Sequence, residues 1–318
     1  MPSKRICAAD REGPGIVTVV VALDVGGTGI KAALVRPPGE IVRLERHATG
    51  ARRGPEAVIE TILAVAGGLA DTARAAGETP LAVGLAVPGV VDEANGTAVW
   101  SANLGFRDVP LRELAAQRLN LPAALGHDVR AGGAAEARLG AARGVRHVLF
   151  VAVGTGIAAA HVVDGRAGGG AHGAAGELGH VVVRPGGTPC FCGNRGCLET
   201  VASAAAIARA YPTVTGDPIT AADVAARAAE GDEAAVRVWR DATAALADGL
   251  LTAQALYDVA DMVIGGGLAE AGEALFAPLR AALRERITFH REPRLLPAAL
   301  GDRAGCLGAA LLALDLLG

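Results

Sequence analysis

Aromatic side chains are scarce in this chain: five Phe, two Trp and two Tyr amount to 3% of 318 residues. The apolar fraction is nevertheless 51%, so the core has to be built from Ala, Val and Leu. Long apolar runs are missing too. Asp248 and Asp315 interrupt the best candidates, which excludes a membrane-spanning helix as the organising element. Charge of one sign is not in excess: the net charge is −3, which argues against general affinity for nucleic acid or anionic membrane. Residues 1–16 (MPSKRICAADREGPGI) hold charges and no apolar stretch, so they read as a flexible tail rather than a signal peptide or anchor. Cysteine is limited to five residues, an odd number, and without an export signal this argues against a disulfide framework. A reduced, cytosolic compartment is expected, where thiols more often bind metal than cross-link. The length suits two domains of ordinary size.

What cysteine there is, is concentrated. Residues 176–200 read GELGHVVVRPGGTPCFCGNRGCLET, placing His180, Cys190, Cys192 and Cys197 within eighteen residues. One imidazole and three thiolates are the ligand set of a closed, tetrahedral Cys3His zinc site. Gly193 and Gly196 supply the backbone freedom that a tight knuckle needs. Glu177 and Glu199 bracket it, so acidic groups and a metal are pinned into one place.

Two segments resemble each other: VVVALDVGGTGIKAALV (19–35) and VLFVAVGTGIAAAHVV (148–163). Each is a β-rich run, a Gly/Thr turn and a second short apolar run, which points to a duplicated unit. The residues after each turn are strand-like, so the turns read as hairpin tips rather than as glycine loops leading into a helix. A hairpin whose amides converge can hold a phosphate. Either turn alone would read as an ordinary hairpin; the pair favours phosphate. Helices are predicted where Val58, Ile62, Val65 and Leu69, and Leu268, Leu275, Leu279 and Leu283, fall at helical spacing, throughout 221–256, and over 304–317. Strands are predicted at 81–87, 123–126, 147–153, 159–163 and 261–264. The alternation makes the class α/β, with a division near 128–130.

Several residues carry possible chemistry. Asp24, before the first turn, either holds Mg2+ through water or caps the turn. Asp128 follows a strand and precedes a helix, where it serves as an N-cap or as a general base for phosphoryl transfer. Asn103 suits sugar hydroxyls or a turn. Pro88-Gly89 ends a strand. Gly265, Gly266 and Gly267 give a nucleotide close access to backbone, or form a plain strand-to-helix loop.

Taken together, DVGGT (24–28), VPG (87–89), NLGF (103–106), the Asp128 segment, VGTGI (153–157), GELGH (176–180), CFCGNRGC (190–197), Glu199 and IGGG (264–267) resemble the ROK family of sugar kinases and sugar-responsive repressors. The resemblance covers nearly the whole chain after residue 17. It implies a two-domain actin-like/ribonuclease H-like ATPase fold with duplicated β-rich halves and a cleft between them. The small domain would hold 17–128 and the C-terminal helix 304–318, and the large domain 129–303 with the knuckle. The turns at Gly26, Gly27 and Thr28 and at Gly154, Thr155 and Gly156 would cradle ATP phosphates with Asp24, and Gly265–Gly267 would lie near the adenosine. Asp128 matches the catalytic base; Pro88, Gly89, Asn103, Glu177, His180 and Glu199 fall where the sugar is held. The zinc is structural in the family, and its His also faces the sugar. Three departures stand out. Gly29 replaces the Lys that often follows GGT, leaving Lys31 to reach the phosphates from the same strand face. Ala158–Ala160 replaces further glycines after the second turn. His127 and Arg130 flank the base where Asn is frequent.

The expected activity is ATP-dependent phosphorylation of a hexose 6-hydroxyl, most of all of glucose, with Mg2+ accompanying ATP. Alternatives are N-acetylmannosamine, N-acetylglucosamine, fructose or allose as substrate, polyphosphate as donor, or a sugar-responsive repressor. Only about sixteen residues precede the first strand, too few for a three-helix DNA reader. The resemblance also implies a homo-oligomer, dimer or tetramer.

Overall fold

The computed structural model describes residues 17–212 and 219–318. The tail 1–16, with Cys7, lies outside the described residues. The chain builds two five-stranded sheets of one design. In the first, β1 (Thr18–Val25), β2 (Gly29–Arg36) and β3 (Glu40–Ala48) form an antiparallel meander. Helix α1 (Pro55–Ala75) returns the chain to β4 (Thr79–Val87), parallel to β1. A small antiparallel sheet follows, β5 (Val90–Asp92), β6 (Thr97–Ser101) and β7 (Phe106–Val109). Then α2 (Leu111–Leu119) leads to β8 (Ala123–His127), parallel to β4. The order is β3-β2-β1-β4-β8.

Helix α3 (Asp128–Leu139) opens the second half. Strands β9 (His147–Val153), β10 (Ile157–Val163) and β11 (Arg166–Ala167) repeat the meander. After the knuckle come α4 (Glu199–Ala202), α5 (Ala204–Ala210), α6 (Ala221–Ala229) and α7 (Glu233–Tyr257). Strand β12 (Asp261–Gly265) pairs parallel to β9, α8 (Glu273–Arg286) crosses over, and β13 (Arg294–Pro297) pairs parallel to β12. The order β11-β10-β9-β12-β13 matches the first sheet strand for strand. The duplication expected from 19–35 and 148–163 is therefore present as two equivalent hairpins.

Burial explains the patterns. Strand β1 is central, and Val19 to Leu23 are fully buried, so it reads as a continuous apolar run. Strand β3 lies at the edge and carries Arg43, Glu45 and Arg46, charges that discourage further pairing. Helix α1 starts with Pro55 at its first position and buries Val58, Ile62 and Leu69, with Val65 packed at the margin. Two helical expectations need correction. The stretch 221–256 is two helices: Gly231 adopts φ +90°, and the Asp232 side chain caps α7 by accepting the Ala234 and Ala235 N–H groups. Leu268 belongs to a short 3-10 segment, Gly267–Ala271, and Gly272 at φ +57° separates it from α8.

The halves meet through α3, packed on β9 and β10, and α9 (Ala304–Asp315), packed on β1 and β4. These two helices pack against each other. Small residues set that approach: a Cβ on Gly308 would lie 2.2 Å from the Ala131 carbonyl oxygen. Buried Glu136 of α3 ties in the chain before α9 by accepting the Ala299 and Leu300 N–H groups at 3.1 and 2.8 Å. An aromatic-poor core is thus closed by near contact of backbones.

Candidate active site between the two sheets

The sequence motifs fall at the C-terminal ends of parallel strands in both sheets. Asp24 is the penultimate residue of β1, Pro88 follows β4, Asp128 follows β8, Gly154 follows β9 and Gly265 ends β12. Open α/β sheets bind ligands at this edge. A cleft of about 600 Å³ lies there. Its wall includes Pro88, Gly89, Asn103, Asp128, Gly154, Thr155, Gly156, Glu177, His180, Cys192, Glu199 and Gly266. The fold thus gathers residues up to 178 positions apart. Asp24, Gly26, Gly27, Thr28, Lys31, Gly265 and Gly267 stand outside this wall.

Asp128 is the first residue of α3; the cap is His127, whose Nδ1 accepts the Arg130 N–H at 3.4 Å. Asp128 is thereby spared the capping role. Its Oδ1 accepts the Val129 N–H at 2.7 Å. Burial pushes its carboxyl up, against the pull of that hydrogen bond, Arg130 and Lys31. His127 is brought down to about 4 by burial and by Arg130, so its ring is neutral near pH 7. With Nδ1 accepting, the Nε2–H faces Asp128 Oδ1 at 3.4 Å.

The first glycine turn closes with Gly26 N–H donating to Gly29 O at 2.8 Å, and Thr49 Oγ1 donates to Gly26 O at 2.6 Å. It leans on Asn103: a Cβ on Gly27 would be 3.2 Å from the Asn103 Cβ. Cross-strand register sets Lys31 opposite Asp24. The Lys31 ammonium lies 2.5 Å from Asp302 Oδ1 and 3.4 Å from Asp24 Oδ2. Lys31 is thus paired with two carboxylates. Burial drives Asp24 up, and Lys31 opposes it.

The second turn closes with Gly154 N–H to Gly156 O at 2.9 Å. Glu199 locks it: Oε2 accepts the Ile157 N–H at 2.9 Å, and a Cβ on Gly156 would be 2.5 Å from the same oxygen. Glu199 thus joins the knuckle to the turn. Of the glycine triplet, Gly265 is packed against Phe150, and Gly266 opens to the cleft.

His180, Cys190, Cys192 and Cys197 present their ligand atoms within 4.8 Å of one another. A tetrahedral ion such as zinc, bound to sulfur at about 2.3 Å, sets its sulfurs roughly 3.8 Å apart and a nitrogen–sulfur pair about 3.6 Å apart. Cys192 and Cys197 Sγ are 3.7 Å apart, and His180 Nδ1 is 3.5 Å from Cys190 Sγ. The four donors fit a metal ion. His180 turns Nδ1 to the thiols and Nε2 toward Glu177 Oε2, 3.8 Å away. Burial raises Glu177, which His180 opposes. Gly196, at φ +75°, lies so close to Arg184 O that a Cβ would be 1.6 Å away, and this closes the knuckle.

Sequence reasoning missed Trp100, Ser101 and Phe191 in the cleft wall. Phe191 meets His180 edge-on, with centroids 5.0 Å apart, and the buried Ser101 hydroxyl has no partner among the described residues. Adjacency to NLGF and a place between two cysteines of the knuckle were the signals available for them.

Residues 20–316 match the model of the ROK family. The glucokinase of Thermotoga maritima is 34% identical, over 94% of this chain and 98% of its own length. The N-acetylmannosamine kinase of Citrobacter koseri is also 34% identical, over 92% and 98%. Among solved structures, a ROK hexokinase from Thermus thermophilus aligns with TM-score 0.83 and 34% identity, covering 94% of this chain and 99% of that one. A ROK family glucokinase from Streptomyces griseus in complex with glucose and AMPPNP aligns with TM-score 0.79 and 29% identity, covering 93% and 99%. The fold is the actin-like ATPase fold of ROK kinases. The chain belongs to the ROK family.

Proposed function

We propose that this protein is a sugar kinase that transfers the γ-phosphoryl group of ATP to the 6-hydroxyl of a hexose, with glucose preferred. One observation carries the reading: a half-buried carboxylate, Asp128, lies in a cleft bounded by a glycine hairpin on one side and by Glu177, His180 and Glu199 on the other. The glucokinases among the relatives, and the bound glucose and AMPPNP in the Streptomyces griseus enzyme, support it.

In this reading Asp128 accepts the proton of the 6-hydroxyl as its oxygen bonds to the γ-phosphorus and the bond to the ADP oxygen breaks. A raised carboxyl makes a better base than an exposed one. Amides of Gly26–Thr28 and Gly154–Gly156 hold the phosphates, and Gly265–Gly267 flanks the adenosine. Asp24, paired with Lys31, would hold Mg2+, and the ion would neutralise phosphate charge. Pro88, Gly89, Asn103, Glu177, His180 and Glu199 hold the sugar. His180, Cys190, Cys192 and Cys197 would hold a structural zinc, which would fix the imidazole with Nε2 on the sugar side. Residues 17–128 with 304–318 form one lobe and 129–303 the other, and their closure excludes water.

A second reading changes only the sugar. The Citrobacter koseri N-acetylmannosamine kinase matches at the same identity as the Thermotoga maritima glucokinase. A coupled ADP-release assay over hexoses and N-acetylhexosamines decides between them. Glucose is expected to give the highest kcat/KM; an N-acetylhexosamine ahead of it would favour the second, and no turnover with any sugar or with polyphosphate as donor would overturn both. A cytosolic homo-oligomer, dimer or tetramer, completes the proposal, tested by light scattering. Among the described residues no helix is long and apolar enough to cross a membrane.

A further inference from the structure

Arg130 sits two residues after Asp128, is 3% exposed, and takes no part in the chemistry described above. Its guanidinium reaches two other parts of the chain. Nε donates to Glu93 Oε1 at 2.8 Å, and Nη1 donates to the carbonyl oxygens of Gly173 and Ala175 at 3.1 and 3.5 Å. Glu93 lies in the turn between β5 and β6, and its Oε1 also accepts the His127 N–H at 3.3 Å. Gly173 and Ala175 lie in the loop that runs into Gly176 and Glu177. That loop rests on the small sheet: Gly173 takes φ +74°, and a Cβ there would be 2.5 Å from Val91 O. One side chain therefore touches the small sheet of the first half and the sugar-side loop of the second, while rooted on the helix that starts with Asp128.

The pair is not explained by stability. Burying the Arg130 guanidinium costs desolvation, and its partner Glu93 is 32% exposed, so solvent screens part of the attraction that would offset that cost. What a guanidinium adds is a rigid planar fork whose donors leave in fixed directions. It can hold Glu93 and the Gly173–Ala175 backbone at a set spacing from Asp128.

We propose that Arg130, with Glu93, is a positioning residue that fixes the register between Asp128 and the loop carrying Glu177, so that the reacting hydroxyl and the group holding the far side of the sugar are aligned together. The inference rests on the sugar-kinase reading. Arg130 also acts through charge. Asp128 is surrounded by neutral His127, by Arg130 on its own helix, by Asp24 on β1 and Lys31 on β2, and by Glu177. Of these, Arg130 and Lys31 oppose the rise that burial imposes on the carboxyl.

The test uses the full chain with glucose and ATP, and compares wild type with Arg130→Lys, Arg130→Met and Glu93→Gln. Rates are measured from pH 5 to 9, with melting temperatures alongside. Misplacement of about an ångström can cost on the order of 100-fold. We expect kcat/KM for glucose to fall roughly 10- to 100-fold in both Arg130 variants, and less in Glu93→Gln, with KM for ATP little changed. Arg130→Lys keeps the charge and should keep the acid limb of the profile in place. Arg130→Met should move that limb to higher pH. Folded variants with wild-type kcat/KM for glucose would overturn the proposal, as would a rise in KM shared equally by glucose and ATP or a loss that follows only the melting temperature. If Arg130→Met does not fold, the Lys and Gln variants decide by the same criteria. A wild-type protein inactive on every sugar would instead overturn the kinase reading, and this inference with it.

Discussion

Replacing Asp128 with Asn removes a base while sparing the geometry around it. The amide has the volume of the carboxyl, and its oxygen can still accept the Val129 N–H that Oδ1 now accepts at 2.7 Å. Capping of α3 rests on His127 and is untouched. The change therefore isolates proton acceptance, which contributes about 100- to 10,000-fold, or about 2.7–5.5 kcal/mol of barrier. kcat for glucose should fall by that factor in a coupled ADP-release assay, while calorimetric glucose affinity stays within about threefold, since Asn still offers a hydrogen bond. Stability should move the other way. Burial raises the Asp128 carboxyl, so the folded protein holds that proton more tightly than the unfolded chain. Stability is then lost as pH rises from the ordinary carboxylate value through the folded one, and at pH 7 the ionised group is a net cost. Asp128→Asn should melt at the same temperature or higher at pH 7, with the difference vanishing in acid. In the wild type, kcat/KM should decline on the acid side above the usual carboxylate range. Turnover in the variant within a few-fold of wild type would refute the assignment of the base. Melting several degrees lower at pH 7 would refute the electrostatic argument.

Other outcomes follow from the same geometry. Purified protein should contain close to one zinc per chain by elemental analysis, and Cys192→Ala should lose both the metal and glucose affinity; a metal-free preparation of full activity would contradict the structural role. Gly156→Ala should drive the Glu199 carboxylate from the Ile157 N–H, because the new methyl would stand 2.5 Å from Oε2. Losing such a charge-assisted bond costs about 1.5–3 kcal/mol, and KM for both ATP and glucose should rise in steady-state assays. Gly308→Ala should destabilise by about 1–3 kcal/mol in urea unfolding, since its methyl would meet Ala131 O at 2.2 Å where α9 and α3 pack.

The sequence by itself determined the repeated hairpins, most of the buried strands and the Cys/His cluster of the knuckle. Each is a local property. Val19–Leu23 is apolar throughout because it is central, and three cysteines within eight residues can converge on one point without help from the rest of the fold. Edge and short strands were not legible: β3 is largely charged, and β5, β6 and β7 carry too few residues for a periodic signal. The break at Gly231 was hidden by alanine on both sides, which favours helix whatever a single glycine does.

Tertiary structure alone decided the partnerships. Nothing in the spacing of Lys31 shows that its ammonium meets Asp302, which arrives from the chain just before α9. Nothing near Glu199 shows that it holds the Ile157 N–H, forty-two residues back. Nor could Arg130, marked in the sequence only as a departure, be seen to join Glu93 to the Gly173–Ala175 loop. Residue type fixes what a group can do. Which groups it meets is set by sheet order and by the close packing of α3 on α9, and that packing depends on contacts between residues far apart in the chain.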